Sequence, residues 1–278
     1  MPELPEVESI RNTLRTLVSG KTIADVRVRW PRIIKRPDDA EAFRMRLIGE
    51  TIQDIGRRGK FLLFILDRHV LVSHLRMEGK YRLESPTDPI DKHTHVIFSL
   101  TDGTELRYRD VRKFGTMHLF DKGEERVLPP LAGLGPEPFD ERFDADYLKD
   151  VFSKTERNIK AVLLDQTTVV GLGNIYVDES LFRAGIHPLE KAKHLSDDDI
   201  RRLEKSIKDT LAEAVALGGS SVRSYLNGYG EMGMFQLRLY VYGRQGQPCK
   251  ACGAMIEKTK AAGRGTHYCP KCQRRRSP

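Results

Sequence analysis

All four cysteines of this 278-residue chain fall in two pairs near its end, Cys249-x-x-Cys252 and Cys269-x-x-Cys272, with 16 residues between the pairs. Two C-x-x-C knuckles at this spacing suit a tetrahedral zinc site, each knuckle supplying two thiolates from one tight turn. Four protein ligands leave no open coordination position, so such a metal holds a fold and performs no chemistry. Iron shares the spacing, and two disulfides are the other use of the same residues. No cysteine occurs in the first 248 residues, and the start, MPELPEVESIR, is acidic and lacks an apolar stretch. A secretory leader and an oxidising compartment are therefore not expected. The expectation is one structural zinc ion.

Between the knuckles, Glu257–Tyr268 reads as a β-hairpin with Gly263 and Gly265 flanking Arg264 near the turn. A guanidinium presented there suits a phosphate backbone, and a solvated turn arginine is the plain alternative. The charge distribution bears on the choice. The chain carries 47 Lys+Arg against 39 Asp+Glu, a net +8. Residues 238–278 alone hold ten of the bases and one acid, Glu257, so the remaining 237 residues are near neutral. A polyanionic partner is expected at the C-terminal end. The longest apolar run, Phe61–Leu66, is far too short to span a bilayer, so no membrane partner is expected. With 39% hydrophobic residues the chain can bury sizeable cores and is not a disordered polymer.

The elements that must hold these residues show in the periodicity. Residues 5–18 carry apolar side chains at helical spacing, with Pro5 suited to the first turn and Glu6 and Glu8 to the positive end of the dipole. From 21 to 121 short alternating or apolar stretches predict strands at Ile23–Trp30, Glu50–Ile55, Phe61–Leu66, Val70–Leu75, Tyr81–Glu84, His95–Thr101, Glu105–Arg109 and Thr116–Phe120. Many short strands without intervening helices argue for an antiparallel sandwich or barrel. Pro129-Pro130 and Gly135-Pro136-Glu137-Pro138 mark 123–140 as a linker. Helices are expected at Asp146–Leu164, Ile175–Ala184 and Ser196–Leu217, the last behind a good N-cap. Residues 218–233 then hold five glycines among polar residues, a long loop of the kind that usually serves function.

The start, Met1-Pro2-Glu3-Leu4-Pro5-Glu6-Val7-Glu8, resembles that of the bacterial formamidopyrimidine-DNA glycosylases. The resemblance runs the length of the chain, through Gly59-Lys60, His93-Thr94-His95, Arg109–Gly115, Leu134–Pro138, Gly171–Tyr176, Tyr242-Gly243-Arg244 and the four cysteines. It implies an α+β fold: a helix followed by an N-terminal antiparallel β-sandwich, then a helical helix–two-turn–helix domain with a four-cysteine zinc-finger β-hairpin. The corresponding domains are 1–130, 131–237 and 238–278. It implies a monomeric, bacterial, cytoplasmic and nucleoid-associated repair enzyme acting on double-stranded DNA that contains oxidised purines, 8-oxoguanine and formamidopyrimidines among them. Such an enzyme removes the base and nicks the strand by β,δ-elimination, as a combined DNA glycosylase and abasic-site lyase.

By the same resemblance Pro2 is the Schiff-base nucleophile, Glu3 the acid of the glycosylase step and Glu6 a supporting carboxylate. The chemistry is sound. Removing Met1 frees a secondary α-amine whose pKa near 8 leaves it partly neutral, unlike a lysine at about 10.4. Its condensation with a sugar aldehyde gives a cationic iminium, an electron sink for elimination. Lys60 resembles the lysine of β-elimination and phosphate contact, and Arg264 the hairpin arginine that grips phosphates and assists δ-elimination. Asn174, opening a helix, resembles a phosphate binder, and His93, Tyr242 and Lys258 fall among the DNA-contacting positions. Met77, Arg112 and Phe114 resemble the wedge that fills the gap left by an extruded base, with Arg112 facing the orphaned cytosine. Ser220, Val222, Arg223 and Tyr225 lie in a loop that resembles the lesion-capping loop, where hydrogen bonds to the added N7–H and 8-oxo group discriminate the damaged base.

Two stretches depart from the pattern. A basic run before the central helices reads Lys154-Thr155-Glu156-Arg157 here, which puts that phosphate contact in doubt, and the chain continues past Cys272 with Arg275 and Arg276. Two other readings share parts of the sequence. One is an endonuclease VIII-like glycosylase for oxidised pyrimidines, against which Leu4 counts. The other is a non-catalytic zinc-finger DNA-binding protein, from which only Pro2, Glu3 and Lys60 distinguish the enzyme.

Overall fold

Alternate side chains from two sheets meet in one apolar core. Val26, Val96, Phe98, Leu106, Tyr108 and Tyr81 come from one sheet, and Ile55, Leu62, Phe64, Leu71, Met117 and Leu119 from the other. The structure, a computed structural model, describes residues 1–220 and 233–275. These sheets belong to the first of two units, which holds Met1–Gly133 and Ser220; the second holds Leu134–Gly219 and Met234 onward.

In the first unit, helix α1 (Leu4–Val18) is followed by β1 (Ile23–Val28), β2 (Ile34–Arg36), helix α2 (Ala40–Leu47), β3 (Asp54–Arg58), β4 (Phe61–Ile65), β5 (His69–His74), β6 (Lys80–Glu84), β7 (Thr94–Leu100), β8 (Glu105–Arg109) and β9 (Thr116–Asp121). The strands run β1-β7-β8-β6 in one sheet and β2-β9-β5-β4-β3 in the other. The ladders are antiparallel except the short β2–β9 pairing, which is parallel. Helix α1 adds Val7, Ile10, Leu14 and Val18 to the core, one apolar stripe at 3–4 spacing.

Several boundaries differ from the sequence reading for identifiable reasons. The strand expected at Glu50–Ile55 lies at Asp54–Arg58. Glu50 is instead fully buried, its carboxylate accepting the backbone amide and Nε of Arg68 at 2.9 and 2.6 Å. Helix α2, not foreseen, is capped by Asp39 and held by two buried apolar residues, Phe43 and Leu47.

The second unit contains α3 (Ala145–Ser153), α4 (Ile159–Leu164), α5 (Asn174–Ala184), α6 (Asp197–Ala216) and the hairpin β10 (Glu257–Ala261) with β11 (Arg264–Tyr268). The single helix expected over 146–164 is two. Asn158 leaves the helical path and its side chain accepts the Ala161 amide, so it starts α4 anew. A second core, with Phe143, Phe152, Val162, Tyr176, Leu203, Leu211 and Phe235, fills this unit. Together the two units make a mixed α+β protein. Among the described residues no helix is long and apolar enough to cross a membrane.

Within the second unit, Lys160 on α4 and Asp178 on α5 form an ion pair at 2.6 Å with no side-chain exposure on either partner. Removing one member strands a buried charge, so Lys160→Met is expected to destabilise the fold by about 3–5 kcal/mol. Denaturant unfolding measures it; an effect within about 0.5 kcal/mol, the usual range of surface substitutions, argues against the pair.

Candidate active site and metal centre

The first turn of α1 places the N-terminal residues. Glu3 is the N-cap and Pro5 lies in the first turn, where its missing N–H costs no hydrogen bond. Pro2, Glu3 and Glu6 are buried, while Met1 is 43% exposed. Glu6 uses both carboxylate oxygens within this unit: Oε2 accepts the Glu3 amide at 2.8 Å and Oε1 the Ser220 amide at 2.7 Å. One side chain thereby ties the N-terminus to Ser220, the first of the expected lesion-capping residues. Val222, Arg223 and Tyr225 lie outside the described residues.

Lys60 follows β3 at the turn into β4 and is 6% exposed. His74 on β5 is close by. Burial, with the charges of Arg76 and Lys60 adding to it, drives its pKa down to about 3, so the imidazole is neutral. Its Nδ1 accepts the Arg76 amide at 3.0 Å, and its ring stands edge-on to Phe61. Nothing in the sequence singled out His74; a histidine at the end of an apolar strand reads as core.

Two of the three residues expected to form the wedge, Arg112 and Phe114, occupy a loop organised by Asp110. Asp110 is fully buried, and its Oδ1 and Oδ2 accept the amides of Arg112 at 3.0 Å and Gly115 at 2.8 Å. Between those anchors Arg112 and the 53%-exposed Phe114 pair as cation and ring at 4.9 Å. Lys113, at φ +59°, places its Nζ 3.9 Å over Trp30. A Cβ on Gly115 would meet the Tyr108 hydroxyl at 1.7 Å, so that position admits glycine alone. The Asp110 amide donates to the carbonyl of His93, and the Asp110 carbonyl bonds the His95 ring. His93 and Arg112 are thus joined through one residue, while Met77 is half-buried on the β5–β6 connection.

In the second unit the other expected contacts gather on the hairpin. The turn residues are Ala262 and Gly263, at φ +50° and +70°, the left-handed pair of a type I′ hairpin. Arg264 comes directly after the turn as the exposed first residue of β11, opposite Ala261. Its neighbour Gly265 offers its carbonyl to Asn174 Nδ2 at 3.0 Å and to Lys160 Nζ at 3.4 Å. Asp178 Oδ2 takes the His267 amide at 2.9 Å. The Asn174 side chain thus anchors β11 through its amide nitrogen. Tyr242 packs edge-on against His267 at 5.1 Å, and exposed Lys258 pairs with His267 across the ladder. Buried Glu179, also unforeseen, accepts the amides of Tyr240, Val241 and Tyr242, each at 2.9 Å. Burial still leaves its pKa raised.

The ligand atoms of Cys249, Cys252, Cys269 and Cys272 all lie within 4.8 Å of one another. Burial and the neighbouring sulfurs push the Cys272 thiol up. Four thiolates this close need a cation among them, and one zinc ion with tetrahedral sulfur ligation meets that need. Of the departing basic run, Lys154 pairs with Asp150, Arg157 with Asp165, and Glu156 with Lys191 and Lys193. Arg276 lies outside the described residues.

Sandwich, helices and four-cysteine hairpin together define a two-unit α+β protein with a zinc-finger module. Residues 1–117 match the formamidopyrimidine-DNA glycosylase N-terminal domain, 134–225 the formamidopyrimidine-DNA glycosylase H2TH domain, and 246–275 the zinc finger found in FPG and IleRS. The chain is 64% identical over 273 residues to the formamidopyrimidine-DNA glycosylase of Bacillus subtilis (strain 168), covering 98% of this chain and 99% of the relative. It is 60% identical to that of Geobacillus kaustophilus (strain HTA426), over 99% of this chain and 100% of the relative. Among solved structures it matches Lactococcus lactis Fpg bound to DNA containing an abasic site, with a TM-score of 0.91 and 44% identity over 98% of this chain and 100% of that one. Wild-type L. lactis Fpg (MutM) with DNA containing N7-benzyl-Fapy-dG matches with a TM-score of 0.91 and 45% identity over 99% of this chain and 100% of that one. The chain belongs to the formamidopyrimidine-DNA glycosylase family.

Stripping the zinc with a chelator is expected to unlock the β10–β11 hairpin and weaken duplex binding by at least about ten-fold, since the metal supplies folding energy to such modules. Metal analysis alongside a binding titration checks this, and equal affinity with and without metal rules it out.

Proposed function

We propose that the chain is a base-excision repair enzyme that removes oxidised purines from duplex DNA and then nicks the strand at the resulting site. The observation that carries this reading is the buried Pro2-Glu3 start, tied by Glu6 to Ser220, in a chain of this family.

Pro2, once Met1 is removed, attacks C1′ of the damaged nucleotide with its secondary amine. The bond to the base breaks with its electron pair moving to the base, which takes up the proton that the amine loses. Glu3 donates a proton to the deoxyribose ring oxygen, which opens the ring and leaves a cationic iminium between C1′ and the proline nitrogen. Loss of a C2′ proton then sends electrons into the iminium and out again as the 3′ phosphate departs. A second elimination releases the 5′ phosphate. Lys60 serves β-elimination and phosphate contact, and Arg264 grips phosphates and assists the second elimination. Arg112, Met77 and Phe114 fill the space of the extruded base, with Arg112 facing the orphaned cytosine. His93, Asn174, Tyr242 and Lys258 contact the backbone, and Ser220, Val222, Arg223 and Tyr225 cap the lesion. The zinc ion holds the hairpin and takes no part in the chemistry. The protein acts as a monomer in the bacterial cytoplasm, at the nucleoid.

Borohydride added during turnover of an 8-oxoguanine duplex is expected to trap a covalent complex through Pro2. Pro2→Gly should remove it, and trapping and nicking at the wild-type rate would falsify the nucleophile's assignment. Glu3→Gln is expected to slow base release by about 10²–10⁴-fold, the usual reach of a general acid, with duplex affinity retained. Comparison with a thymine glycol duplex tests the pyrimidine alternative: faster release of thymine glycol than of 8-oxoguanine sinks the purine reading.

A further inference from the structure

Glu8 lies on α1, just past the turn that presents Pro2 and Glu3. Its two oxygens are taken by two arginines. Oε1 receives Nε and Nη2 of Arg11 at 3.0 and 2.6 Å, and Oε2 receives Nε of Arg57 at 2.8 Å. The far edge of each guanidinium ends on backbone. Arg57 Nη1 donates to the Gly59 carbonyl at 2.9 Å and Arg11 Nη1 to the Ile55 carbonyl at 3.4 Å. The Glu8 and Arg57 side chains are only 18% and 12% exposed. Burial alone pushes the Glu8 carboxyl up, but the hydrogen bonds and charges of Arg11 and Arg57 outweigh it and hold its pKa below the usual carboxylate value.

This network is more than α1 needs for attachment, because Val7, Ile10, Leu14 and Val18 already seat the helix on the core. A rigid guanidinium fork bonded on both edges fixes relative position and not merely proximity. What it fixes is the carbonyl immediately before Lys60, relative to the helix that carries Pro2 and Glu3. A lysine is a long flexible stem, so aiming its ammonium requires that its backbone be held.

We infer that Glu8 and Arg57 are positioning residues that set the Lys60 turn in register with the catalytic end of α1. This rests on the role of Lys60 given above. The test compares Arg57→Met, Glu8→Gln, Arg57→Lys and Lys60→Ala in the full-length zinc protein. Two rates are read: base release from an 8-oxoguanine·cytosine duplex, and nicking of a preformed abasic duplex. Arg57→Met and Glu8→Gln are expected to move the ratio of the two rates by at least about five-fold, in the direction that Lys60→Ala moves it, with kcat and not KM carrying the change. Adding Arg57→Met to Lys60→Ala should shift it no further, the mark of residues acting through one another. Arg57→Lys can hold Glu8 or the Gly59 carbonyl but not both, and should fall between. If Arg57→Met fails to fold, the near-isosteric Glu8→Gln carries the comparison alone. Should Lys60→Ala move the ratio while the Glu8 and Arg57 variants slow both steps by one factor, the pair is structural and the inference is wrong, with the role of Lys60 intact. An unmoved ratio in Lys60→Ala removes both.

Discussion

A buried carboxylate is costly unless each oxygen finds a donor, and the N-terminal end of this protein is organised by the way Glu6 meets that demand. One oxygen is satisfied by the amide of Glu3 and the other by the amide of Ser220, more than 200 residues later. The first bond stops α1 from fraying at the turn that presents Pro2 and Glu3. The second makes Ser220, within the glycine-rich segment, part of the same unit as the sandwich. Both bonds lie in a site about 4% exposed, where a lost hydrogen bond is not readily replaced by water. The constraint is therefore local in extent and strict in geometry, as a reacting centre requires.

The same device recurs with different partners. Asp110 holds the loop of Arg112 and Phe114 by two amides, Glu179 holds the backbone of Tyr240–Tyr242 by three, and Asp178 shares itself between Lys160 and the His267 amide. In each case a buried acid takes backbone donors from a segment that lacks regular structure or lies at the end of a strand. Apolar packing fixes sheets and helices to within a side chain's tolerance, but it does not aim a loop. Carboxylates with directional bonds to main-chain amides do so. The residues expected to touch DNA are mostly exposed neighbours of these anchors: Arg112 and Phe114 beside Asp110, Tyr242 beside Glu179, and Arg264 beside the Gly265 carbonyl that Asn174 and Lys160 hold.

This division explains what could be seen in the sequence. The cysteine knuckles were legible because metal ligation demands fixed spacing, and α1 because its apolar stripe repeats at helical period. The sandwich showed as alternation, although the edge strand Ile34–Arg36 and helix α2 were too short to register as periodic. Buried and half-buried acids leave no such trace. Glu8, Asp110, Asp178 and Glu179 look like ordinary charged residues until their tertiary partners are known, and His74 looks like core. The break between α3 and α4 was readable in principle, since Asn158 is a good N-cap, but the apolar spacing on either side masked it. In the hairpin, Gly265 reads by its residue type as part of the turn. Its lack of a side chain instead suits a strand position beside Lys258, whose Cε lies 3.2 Å from where a Cβ would be.

Composition pointed to the C-terminal end, where ten bases face one acid. The structure gives that excess a specific form. Arg264, Lys258 and Lys260 stand exposed on a two-stranded ladder, while the one lysine most completely withdrawn from solvent, Lys160, is neutralised by Asp178 beneath it. Surface cations on a metal-held hairpin attract any phosphate backbone and so contribute affinity without reading the base. Of the residues assigned to chemistry, Pro2, Glu3 and Lys60 lie in the first unit, where Glu3, Glu6 and Lys60 are buried and short contacts decide more than a long-range field. A strong grip with no sequence information, and a buried site with directional hydrogen bonds, is the combination needed by an enzyme that must hold any duplex yet react at one altered base.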